Sequence, residues 1–124
     1  MNKKILVIED NPHNMKMVNL ILTKSGYDVI QATYAEQGII LASDESPDLV
    51  LMDIQLPEMS GIEAAQILKA NESTKGIKIL AITAYAIHGD KKKLLESGCD
   101  GYIAKPIRYK EFLKTIQEAL DEAA

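Results

Sequence analysis

The chain has 124 residues, 47% of them apolar and 26% charged, which is the length and composition of one folded domain and excludes a disordered chain. Its 14 basic and 18 acidic residues leave a net charge of −4, which argues against nucleic-acid binding through phosphates. One cysteine and two distant histidines exclude an internal disulfide and a zinc site, and no apolar run approaches the roughly 20 residues of a membrane helix. With no signal peptide ahead of the first apolar run, the expected location is cytoplasmic and the expected organisation is a single domain over 1–124.

Two periods alternate along the chain. Strand patterns are read at Lys4–Glu9, Asp28–Ala32, Asp48–Met52, Lys78–Thr83 and Gly101–Lys105. Ile5-Leu6-Val7-Ile8, Leu49-Val50-Leu51-Met52 and Ile79-Leu80-Ala81-Ile82 are continuously apolar, as suits strands covered on both faces. After the first strand, Asn11-Pro12 reads as an N-cap and first-turn proline, Met15, Val18, Ile21 and Leu22 recur at helical spacing, and Ser25-Gly26 is the stop. A second helix carries Ala35, Ile39 and Ala42 and closes at Ser46-Pro47. Ser60-Gly61-Ile62-Glu63 opens a third, with Ile62, Ala65 and Leu68 inward. A short fourth is read from Asp90 to Ser97, and a fifth carries Phe112, Ile116, Ala119 and Leu120. Five strand–helix units imply a doubly wound α/β fold of flavodoxin-like (βα)5 type, with a parallel sheet in order 2-1-3-4-5 and helices on both faces.

In such a sheet, ligands bind at the carboxyl ends of the strands. Those ends carry Glu9-Asp10, Asp53, Thr83 and Lys105-Pro106. Three carboxylates in one cleft repel one another unless a cation joins them, and an oxygen-only set favours a hard ion such as Mg²⁺. An aspartate beside that ion is a candidate nucleophile for phosphoryl transfer, with Lys105 and Thr83 left for the other phosphoryl oxygens. Taken singly, Thr83 reads as an ordinary strand residue and Lys105 as a surface lysine, and only their shared strand-end position lifts them. Cys99 reads as a small buried hydrophobe, and His13 and His88 as surface residues. Tyr85, Tyr109 and Phe112 divide between core and contact roles.

Val7-Ile8-Glu9-Asp10-Asn11, Leu51-Met52-Asp53-Ile54-Gln55-Leu56-Pro57, Ala81-Ile82-Thr83-Ala84 and Lys105-Pro106 stand in an order and spacing that resembles the receiver domains of two-component response regulators. The Met52–Gly61 and Gly98–Ile107 stretches resemble stand-alone receivers of the DivK type in particular. The resemblance implies Asp53 as phosphoacceptor. It implies Mg²⁺ held by Asp10, Asp53 and the Gln55 carbonyl, with Glu9 acting through a water. It implies Thr83 and Tyr102 as switch residues, Lys105 as partner of a phosphoryl oxygen, a cis bond at Pro106, and Ala84 and Tyr85 lining the site. It also implies that Tyr85 and Gln55 border the path of attacking water, where a bulky Tyr85 would slow hydrolysis.

The expected partners are a histidine kinase or histidine phosphotransfer protein, docking near the first helix, and a downstream protein on the face of the fourth helix, fifth strand and fifth helix. The chain is expected as a monomer or weak dimer, with no catalysis beyond its own phosphorylation and dephosphorylation. Rival readings are a relay or phosphate-sink receiver, a receiver excised from a larger hybrid kinase, a small-molecule phosphohydrolase and a flavodoxin-like cofactor binder. The phosphohydrolase would need an acid–base aspartate where Gln55 stands, and the cofactor binder a glycine-rich loop after the first strand.

Overall fold

In the computed structural model, which describes residues 2–83, 92 and 95–123, the apolar runs form one sheet. Along the chain lie β1 (Lys4–Ile8), α1 (Pro12–Lys24), β2 (Asp28–Ala32), α2 (Ala35–Glu45), β3 (Leu49–Asp53), α3 (Gly61–Ala70), β4 (Lys78–Thr83), β5 (Gly101–Ala104) and a C-terminal helix (Tyr109–Ala123). Every pairing is parallel and the order is β2-β1-β3-β4-β5, as expected. The predicted fourth helix, Asp90–Ser97, falls largely outside the described residues.

The continuous apolar runs serve two cores. Successive strand residues face opposite sides of a sheet, so each run divides between them. Leu6, Ile8, Val50, Met52, Ile79 and Ala81 pack with Ala64, Ala65 and Leu68 of α3 and Ala35 and Ala42 of α2. Ile5, Val7, Leu49, Leu51, Leu80 and Ile82 pack with Val18 and Leu22 of α1 and Phe112 and Ile116 of the C-terminal helix. β3 is therefore buried throughout and β1 from Ile5 onward, and the edge strand β2 is half open. Phe112 belongs to the core, while Tyr109 is exposed.

Four boundaries in three strands move by one residue from the expected positions. β1 stops at Ile8, although the Glu9 N–H still donates to the Ala32 carbonyl at 3.0 Å. β3 begins at Leu49 and takes in Asp53, which pairs in register with Ile82. β5 stops at Ala104. The Lys105 N–H donates to the Thr83 carbonyl at 2.8 Å, but Pro106 has no N–H to continue the ladder. The shift places Asp53 inside the sheet's hydrogen-bonded frame.

Candidate active site

The loops after β1 and β3 are built by local capping chemistry. The Asn11 side-chain oxygen accepts from the N–H groups of His13 (2.9 Å) and Asn14 (3.1 Å), closing the start of α1. The Asn11 N–H donates to Glu9 Oε2 at 3.3 Å, so the same turn steadies the Glu9 carboxyl. After β3, Ser60 Oγ accepts from the Glu63 N–H at 3.2 Å, and the Gly61 N–H donates to the Ile54 carbonyl at 3.0 Å. A Cβ on Gly61 would lie 2.8 Å from both the Asp53 carbonyl oxygen and the Ile54 Cα. Glycine is thus what lets α3 begin against the backbone that carries Asp53.

These turns bring the expected acids together. Carboxylate oxygens of Glu9, Asp10 and Asp53 lie within 4.8 Å of one another. Glu9 and Asp53 are buried and Asp10 is exposed. Lys105 Nζ meets Asp53 Oδ2 at 2.8 Å, and the Gln55 N–H donates to Asp53 Oδ1 at 2.8 Å, so both Asp53 oxygens are engaged. Burial, a hydrogen bond with Asp53 and the Asp53 charge push Glu9 from 4.5 up to about 7, against the opposing Asn11 N–H and Lys105 charge. A proton on Glu9 thus does part of what a cation would do among these oxygens. The donor set is all oxygen and carries more negative charge than one lysine offsets, which fits a hard divalent ion such as Mg²⁺.

Thr83 ends β4 and is buried. It pairs with Ala104, and Ala81 pairs with Tyr102, so Thr83 and Tyr102 stand diagonally on one face of the sheet. Tyr102 is half-buried and packs on the core beneath α2 and α3. The Lys105–Pro106 bond is cis and Pro106 is exposed. Gln55 enters the site through its N–H. Ala84, Tyr85 and His88 lie outside the described residues. Beside the acids, a cavity of about 390 Å³ opens along α1, lined by Glu9, Asp10, Met15, Lys16 and Gln31 among others.

The sequence reading missed Gly61 as a positioning residue. Its signal was a poor helix former directly after an N-cap serine, eight residues past Asp53. It also missed that Asn11 serves the helix and Glu9 together.

Known proteins share this frame. The family model for the response regulator receiver domain matches residues 5–117. The polar-differentiation response regulator DivK of Brucella ovis is 41% identical over 123 residues, covering 99% of this chain and all of DivK. The receiver domain of the sensor histidine kinase PA1611 from Pseudomonas aeruginosa, solved with a magnesium ion in its active-site cleft, superposes with a TM-score of 0.90 at 31% identity, covering 98% of this chain and 99% of that one. A chain of the Saccharomyces cerevisiae complex between the phosphotransfer protein Ypd1 and the receiver domain of Ssk1 superposes with a TM-score of 0.87 at 31% identity, covering 94% and 88%. Matched along nearly its whole length in sequence and fold, the chain belongs to the response regulator receiver domains of two-component phosphorelay signalling.

Proposed function

We propose that Asp53 accepts a phosphoryl group from a phosphohistidine of a kinase or phosphotransfer protein, and that the chain acts as a phosphorylation-dependent interaction switch. The observation that carries this is a buried Asp53 gripped by Lys105 and the Gln55 N–H, with Glu9 and Asp10 beside it. A buried carboxylate set among like charges is costly to folding, so chemistry is the better reason for it.

In this reading an Asp53 carboxylate oxygen attacks phosphorus. The new P–O bond forms as the P–N bond to the donor imidazole breaks, and the departing nitrogen keeps its electron pair and takes a proton from solvent. Gln55 holds the carboxylate plane through its N–H. Lys105, already 2.8 Å from Asp53, follows the transferred group and pairs with one of its oxygens. Asp10, Asp53 and the Gln55 carbonyl would hold Mg²⁺ with Glu9 in support, supplying positive charge for an incoming dianion. Thr83 turns its hydroxyl toward the new phosphoryl group, Ala84 leaves room for it, and Tyr102 shifts with Thr83 on the same sheet face. Tyr85 shields the acyl phosphate from water.

The donor docks along α1 beside the acidic cavity, and the likeness to a chain of the Ypd1–Ssk1 complex supports a phosphotransfer protein as one such donor. The downstream protein reads the face around β5 and the C-terminal helix. The reading carries with it a cytoplasmic location and a monomer or weak dimer; among the described residues no helix is long and apolar enough to cross a membrane.

Intact-mass measurement after incubation with Mg²⁺ and acetyl phosphate tests the proposal. Wild type is expected to gain one alkali-labile phosphoryl group, and Asp53→Asn none. Absence of an adduct on wild type would overturn it.

A further inference from the structure

A groove of about 510 Å³ lies between the start of α2 and the Pro57–Met59 turn. Tyr34, Ile40, Pro57 and Met59 give it an apolar lining, and the exposed Glu36 and Glu58 add two carboxylates. Among the residues that line it there is no lysine or arginine.

Several of these residues sit where folding alone favours something else. Ile40 is 60% exposed and Tyr34 is 54% exposed, although each would gain by leaving water. Tyr34 occupies the N-cap of α2, and its side chain makes no capping hydrogen bond. Serine, threonine or aspartate would serve that helix better. Glu58 has a φ of 68°, a left-handed conformation that is costly for a residue with a Cβ and usually goes to glycine or asparagine. Departures from local rules that share one groove point to a contact there.

We propose that this groove docks an amphipathic segment of a partner protein, which buries an aliphatic or aromatic side chain against Ile40 and Met59 and sets lysine or arginine against Glu36 and Glu58. Charge selects this occupant over a second copy of the chain. Each copy carries −4, and an isologous contact would bring the same two carboxylates face to face. The contact stands apart from the proposed acceptor chemistry, since none of Glu9, Asp10, Asp53 and Lys105 lines the groove.

The test is an amide-shift titration of the full ¹⁵N-labelled chain with a designed Leu/Lys amphipathic helical peptide. A Leu/Glu peptide of the same pattern and a Ser/Lys peptide of the same charge serve as controls. The Leu/Lys peptide is expected to move the amides of Tyr34, Ile40, Glu58 and Met59, with both controls binding at least about tenfold more weakly. Ile40→Ser should weaken binding about tenfold while leaving the melting temperature and acetyl-phosphate uptake unchanged. Glu36→Gln with Glu58→Gln should weaken it roughly threefold and flatten its salt dependence. Shifts mapping elsewhere, equal binding of the Ser/Lys peptide, or an unaffected Ile40→Ser variant would overturn the proposal. So would self-association that Ile40→Ser abolishes, which would assign the groove to a second copy.

Discussion

The two ends of the sheet each hold a lysine–aspartate pair, and the pairs differ instructively. At the carboxyl ends of the strands, Lys105 meets Asp53 at 2.8 Å; at the amino ends, Lys69 of α3 meets Asp100 at 3.0 Å. The two lysine side chains are equally exposed, at 24%. Their surroundings are not alike. Asp100 Oδ2 also accepts from the Ile79 N–H at 2.8 Å, the Asp100 N–H donates to the Ile79 carbonyl at 2.8 Å, and Lys69 Nζ donates to the Ile77 carbonyl at 2.9 Å. That pair is a tie between α3, β4 and the start of β5, with its charge matched by near neighbours. Asp53 instead stands with Glu9 and Asp10, so one ammonium faces three carboxylates. A satisfied pair belongs to the fold, and an over-acidic one fits the proposed role of receiving a cation and a phosphoryl group.

Exchanging the damage between the two ends sharpens this contrast most. Asp53→Asn is expected to lose phosphoryl uptake completely. Asp100→Ala should keep uptake but melt roughly 5–10 °C lower, because it leaves the Ile79 N–H without its side-chain acceptor and the Lys69 ammonium without its carboxylate. Intact-mass and thermal-melt measurements on both variants check the crossing.

Gly61→Ala should touch both properties, since its Cβ would press on the Asp53 carbonyl oxygen. A stability loss of about 2 kcal/mol by denaturant titration and uptake slowed about tenfold are expected.

The third effect is on pH. Because Glu9 is raised from 4.5 to about 7, its stabilising contribution is fully present below 4.5 and is lost as pH rises through about 7. In chelator, wild type should therefore fall behind Glu9→Gln by several degrees of melting temperature at about pH 8 relative to about pH 5, and Mg²⁺ should close the gap. The smallest expected change is Ser60→Ala, which removes the α3 cap for about 1 kcal/mol in a melt and leaves uptake intact.

Much of the acceptor end was legible in the sequence because its parts lie at fixed points of a regular pattern. Continuous apolar runs at Ile5–Ile8 and Leu49–Met52 announce doubly covered strands, and the charged residues that end them mark the cleft. The amino-terminal end was not legible. Lys69 and Asp100 are 31 residues apart, and each reads singly as a surface charge until the sheet brings them together. Gly61 needed coordinates as well, because its importance lies in the backbone it approaches. Tyr109 and Phe112 lie three residues apart on one helix, and only packing shows that Phe112 is core and Tyr109 is not.

Locating the modification tests the central claim most directly. Borohydride reduces an acyl phosphate to an alcohol, so trapping the phosphorylated wild-type chain and fragmenting its peptides by mass spectrometry reads out the modified carboxyl. The account predicts homoserine at position 53 alone. Reduction at Asp10, Glu9 or any other carboxyl, with position 53 still aspartate, would contradict it.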